Sequence, residues 1–146
     1  MSGKQKKKLT KGFFVAAVSS DECKTCTLEV RCAGESQKID ELRSLAEEAC
    51  QLVLNEPDIL YLDRKSVPWE EVREQERSIV AEVASQFSDY NKREEQVQAA
   101  MSRWYGRVCL MERNLGEYVN FGLRLDRLNK EKSIEAEFAS LFVGRI

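Results

Sequence analysis

Four cysteines stand at a spacing that metal chemistry uses: Cys23-x2-Cys26-x5-Cys32, with Cys50 eighteen residues further on. Four thiolates can hold a zinc ion tetrahedrally. The same residues have a plainer reading. The run TCTLEVRC alternates, so Cys26, Leu28, Val30 and Cys32 share one face of a strand, and Cys50 falls near the apolar face of a following helix. Zinc ribbons usually carry a second Cys-x2-Cys, and this chain has none. Structural thiols are therefore expected, with no metal or other cofactor assigned. A zinc-binding module through Cys23, Cys26, Cys32 and Cys50 stands as the third functional reading. A redox role for Cys23 and Cys26 lacks the βαβ pattern that would surround it.

Other chemistry fares worse. Among 146 residues there is no histidine, which removes Ser-His-Asp and Cys-His catalysis and imidazole switching. The segment GKQKKKLTKG lacks the closing Lys-Ser/Thr of a phosphate loop. The acidic pairs Glu47-Glu48, Glu70-Glu71 and Glu94-Glu95 are adjacent residues, which do not face each other on a helix. No enzyme is expected.

The stretch VQAAMSRWYGRVCLMERNLGEYVNFGL, residues 97–123, resembles the lining of an aromatic pocket until its spacings are counted. Val97, Met101, Trp104, Val108, Met111, Leu115 and Tyr118 are separated by alternating steps of four and three. That is a heptad rhythm, which seeks a partner helix. The register runs backward through Val80, Val83, Phe87, Tyr90 and Glu94, and forward through Gly122 to Leu125, with Glu94 and Gly122 its two positions that are not apolar. Ser88-Asp89-Tyr90-Asn91 are cap and turn residues that would permit a break, but the unbroken register argues for one helix of roughly sixty residues, about 90 Å long. The seam is mixed in size and its flanks are often apolar, which suits a bundle of three or more helices from different subunits.

The elements that would position these residues follow from local pattern. Residues 1–12 read as a disordered basic tail carrying Lys4, Lys6, Lys7, Lys8 and Lys11. Residues 13–36 read as a β-hairpin, FFVAAV and TCTLEVRC about the turn SSDECK. Residues 37–146 read as helical: a first helix over 37–54 capped by Ser36, a strong start at Ser66-Val67-Pro68 for the long helix, and a short amphipathic helix after Ser133 carrying Phe138, Leu141 and Phe142. The fold class is thus mainly α: an N-terminal hairpin, a short helix, then one very long helix forming a coiled coil or multi-helix bundle with partner subunits.

The net charge is −2, with five lysines in the first eleven residues. The body is therefore acidic and does not suit nucleic acid, whereas the tail suits an anionic partner such as nucleic acid, lipid or an acidic protein surface. No apolar run reaches transmembrane length. FFVAAV falls short of the roughly seven to fifteen apolar residues of a signal peptide. Five cysteines, an odd number, and no glycosylation sequon fit an intracellular location, cytoplasmic or nuclear. The expected function is a non-catalytic adaptor or scaffold subunit of a hetero-oligomeric complex, bound to other helical subunits through the heptad residues and Phe138, Leu141 and Phe142. The second reading is a chromatin- or nucleic-acid-associated factor using the basic tail.

Overall fold

The computed structural model describes residues 11–116 and 119–145. Lys4, Lys6, Lys7, Lys8 and Tyr118, singled out above, lie outside the described residues. Strand β1 (Lys11–Val18) pairs antiparallel with β2 (Lys24–Cys32), and β2 with β3 (Ala136–Arg145), so the sheet order is β1-β2-β3. Lys11 and Gly12 belong to β1 and not to a tail. At Gly12 an added Cβ would come within 2.3 Å of the Val30 carbonyl oxygen, so the close approach of β1 to β2 requires glycine.

Among the described residues four α-helices lie between β2 and β3: α1 (Asp40–Asn55), α2 (Trp69–Gln86), α3 (Tyr90–Val108) and α4 (Phe121–Lys132). Ser36 lies in a short 3-10 turn over Gly34–Lys38, and α1 begins after it with no side-chain cap. Leu42, Leu45, Ala46, Ala49, Cys50 and Val53 form the buried stripe of α1, spaced to face one side. That stripe lies on the inner face of the sheet, where Val15, Leu28, Val30 and Phe138 are buried. Phe121 and Leu125 of α4 complete this core. Gly122, one residue into α4, would press a Cβ to 3.2 Å from the Met111 carbonyl oxygen, so the helix meets the preceding segment closely there.

The single very long helix is not what forms. Among the described residues no α-helix exceeds 19 residues. The heptad segment divides into α2, α3 and α4, with Cys109–Gly116 and Val119–Asn120 outside any α-helix and a short 3-10 turn at Leu110–Glu112. The first break falls at Ser88-Asp89: Phe87 and Asp89 both take extended backbone, and the Asp89 carboxylate accepts from the Asn91 amide at 3.0 Å. Arg93 donates to the Phe87 carbonyl, tying off the end of α2. The chain then doubles back, and α2 and α3 pack on each other. Their seam makes a second core of Val67, Ile79, Val83, Met101, Trp104, Val108 and Cys109, distinct from the sheet core. The heptad rhythm is satisfied by a partner helix in the same chain.

The expected C-terminal amphipathic helix is a strand. Ser133 does not open a helix; it ends α4 in the left-handed conformation (φ 51°), with its amide donating to the α4 carbonyls of Asn129 and Lys130. The Asn129 side chain then brackets Ala136, its amide donating at 3.0 Å and its oxygen accepting at 3.1 Å, which starts β3. No helix among the described residues is long and apolar enough to cross a membrane.

Candidate docking surface

The residues proposed for chemistry scatter. Cys26 and Cys32 both point inward from β2 and are fully buried, but six residues of extended strand hold them about 20 Å apart. They cannot ligate one ion. Cys23 is exposed on the turn, and Cys50 is buried on α1 with its thiol 3.6 Å from the Val15 carbonyl oxygen. Among the described residues no cluster of histidine, cysteine and acidic side chains is placed to hold a metal. Burial and a hydrogen bond with the Cys50 thiol push the Cys26 thiol well above its ordinary range, with the hydrogen bond the larger cause. These thiols are core packing.

The expected partner-binding residues divide three ways. Val83, Met101, Trp104 and Val108 are buried in the α2–α3 seam, with Phe87 and Val97 packed at its edge. Phe138 and Leu125 are buried in the sheet core, with Met111, Leu115 and Leu141 packed against it. Among the described residues of that set, only Val80, Tyr90 and Phe142 remain exposed. Val80 and Tyr90 are separate residues on the helical arm, while Phe142 belongs to a patch.

That patch is the outer face of the sheet. The strand register sets four rows across it. Val18, Thr25 and Gly144 form one row; Ala16, Thr27 and Phe142 the next; Phe14, Glu29 and Ser140 the third; Gly12, Arg31 and Glu137 the last. α1 and α4 pack against the inner face, and no described element covers the outer one. Phe14 is 61% exposed, Phe142 65% and Val18 52%. Their neighbour Phe13 shows the contrast: it points inward, and the Arg43 guanidinium of α1 lies over its ring at 4.4 Å. Sequence reading included Phe142 for another reason and missed Phe14 and Val18, whose signal was the apolar residue at every position of FFVAAV, both faces included.

Phe142 faces outward because β3 carries a bulge. Glu29 pairs with Ser140 but Val30 pairs with Phe138, leaving Ala139 as the extra residue. Phe138 therefore points in with Val30, and beyond the bulge Leu141 points in while Ser140 and Phe142 point out. Polar residues complete the face. Arg31 Nε donates to the Glu29 carboxylate at 3.1 Å, and the Ser140 hydroxyl donates to it at 3.0 Å. Both bonds, Arg31 first, hold the Glu29 carboxyl below its usual range.

A mixed-charge groove between α1 and α4 is accounted for by its own ion pairs. Arg124 makes a two-bond contact with Glu48 at 2.7 and 2.8 Å, and Lys132 approaches Glu41 at 3.2 Å. No family model matches the chain, and no curated protein matches it in sequence.

Proposed function

We propose that this chain is a non-catalytic docking subunit that joins another protein chain through the outer face of its sheet. The observation that carries the reading is the cluster of Phe14, Val18 and Phe142, each more than half exposed on adjacent rows of one rigid surface. Covering two phenylalanines and a valine that are 52–65% exposed would gain on the order of 1–2 kcal/mol each, and contiguous apolar patches rimmed by polar residues mark interaction sites. Aromatic residues on a rigid element are the usual anchors of protein interfaces. The helical seam offers no such surface, because α2 and α3 consume it between themselves.

The test is the native size of the tagged chain in extract of its source cells, with and without Phe14→Asp and Phe142→Asp together. Both sites are exposed, so the fold and its circular dichroism are expected to stay unchanged. Wild type should migrate as part of an assembly larger than one chain, and the double variant as a monomer. A double variant that keeps its place in the assembly would rule out the sheet face as the docking surface.

A further inference from the structure

Reading across the open face, rather than along its strands, shows which partner fits it. In every row one edge strand carries a bulky residue and the other a small one. Val18 of β1 shares its row with Gly144 of β3, and Phe14 with Ser140; in the row between them the sizes reverse, Ala16 on β1 with Phe142 on β3. The last row keeps the reversal, with Gly12 on β1 and Glu137 on β3. A two-fold axis lying parallel to the strands, between two copies stacked face to face, places β1 of each copy over β3 of the other at the same row. Val18 then stands over Gly144, Phe14 over Ser140 and Phe142 over Ala16 of the second copy, and each contact occurs twice. Facing sheets pack by setting large side chains over small ones in this way, and a two-fold interface is self-complementary by construction.

Resting on the reading of this face as a docking surface, we propose that its occupant is a second copy of this chain, stacked about that axis as a six-stranded sandwich. The central strand lies on the axis and meets itself. Thr27 lies at the middle of β2, so two threonines meet at the axis. Glu29 and Arg31 each face the same residue of the second copy, a like-charge opposition that each copy's own Glu29–Arg31 ion pair at 3.1 Å offsets. Three strands about 4.8 Å apart and four rows about 6.8 Å apart give a face that buries on the order of 1,000 Å² over both copies. That is the low end of specific interfaces, so the dimer should be concentration-dependent, with a dissociation constant in the micromolar range.

The experiment is sedimentation equilibrium on the purified chain, wild type against Ala16→Phe, Phe142→Ala and the two combined. Both positions are exposed, so unfolding is not expected, and thermal melts check this. Wild type should show a reversible monomer–dimer equilibrium. Ala16→Phe sets two rings against each other and Phe142→Ala leaves a hollow over Ala16, so each should weaken the dimer at least about tenfold. The double variant exchanges the large and small residues and should recover to within about threefold of wild type. A different protein on this face, or a dimer of other geometry, would suffer both changes without recovery, so a double variant no better than the worse single overturns the proposal. So does a wild-type chain that stays monomeric up to about 100 μM, two orders above a micromolar constant. If it is monomeric yet Phe14→Asp with Phe142→Asp still releases the chain from its assembly in extract, the homodimer falls and the docking surface stands. If neither association nor assembly responds to those aspartates, both fall.

Discussion

Trp104→Ala tests whether the molecule is built from two separable cores. Trp104 is the largest residue of the α2–α3 seam, packed among Ile79, Val83, Met101 and Val108, with its ring centroid 5.1 Å from that of Tyr105. Truncating a buried tryptophan to alanine costs about 3–5 kcal/mol. None of that loss falls in the sheet core, which shares no buried residue with the seam. Two helices of this length packed on each other and on the short Tyr61, Val67 and Cys109 connectors have little stability in reserve, because most helical stability comes from packing an apolar face. The arm should therefore open while the sheet, α1 and α4 stay folded. α2 and α3 supply 18 and 19 α-helical residues against 16 and 12 in α1 and α4, so more than half of the helical circular dichroism should be lost. Amide exchange should collapse to unprotected rates across 69–108 and persist on Leu28 and Val30. Leu28→Ala, a fully buried site in the other core, should instead lower protection throughout the sheet and α1. If Trp104→Ala strips protection from β2 together with α2 and α3, the two cores form one cooperative unit and the reasoning fails.

Gly12→Ala should destabilise the sheet by about 1–3 kcal/mol, since the new methyl meets backbone and no rotamer relieves it; a denaturant midpoint equal to wild type would contradict this. Among the five thiols, Cys23 should react at once with an aromatic disulfide reagent, Cys109 next as the arm opens, and Cys26, Cys32 and Cys50 only on global unfolding. Mass mapping of labelled peptides over time gives the order. Burial, first among its causes, raises the Cys109 thiol to about 12, above its ordinary 9.0. The stability this gives is complete below pH 9.0 and is lost as pH rises toward 12. Arm melting should fall between about pH 8 and about pH 10.5, and fall less in Cys109→Val; equal shifts would remove the thiol as the cause.

How much of this was legible in the sequence depends on which partner a pattern needs. The alternation of Cys26, Leu28, Val30 and Cys32 needs only a sheet with one covered face, and it sits on β2. A heptad seam states that a helix lies opposite, but not whether that helix belongs to the same chain. The residues that decide it, Ser88-Asp89, are visible as a capping pair, yet the register runs on across them because the turn is short enough to keep the apolar steps in phase. Beyond Val108 the apolar residues Met111, Leu115 and Leu125 keep the same spacing while packing on the sheet instead. The connectors show why both cores compete for this stretch. Tyr61 and Cys109 form a parallel bridge and turn toward the arm core, while Leu62 and Leu110 beside them turn toward the sheet core. The Leu110 amide donates to the Tyr61 carbonyl at 2.8 Å. Strand-like alternation between two cores is hidden there inside a helical count.

The C-terminal strand was misread for a reason that also shapes the proposed interface. Its inward residues are Ala136, Phe138, Leu141 and Val143, at steps of two, three and two, because the bulge consumes Ala139. A strand without a bulge would step by two throughout, and a bulged one presents Ile134, Phe138 and Leu141 at helical spacing. The same extra residue moves Phe142 from the inner face to the outer, opposite in strand order to Ala16 and one row from Phe14. Were Ala139 paired with Glu29 instead of bulged, Phe142 would fall opposite Cys26 inside, Leu141 and Val143 would point to water, and the alternation of large and small across the rows would disappear. One residue thus sets both the inner packing and the outer face. A bulge that served the core alone would have no reason to leave a phenylalanine two-thirds exposed, which is why the outer face, and not the core, is where its consequence for function lies.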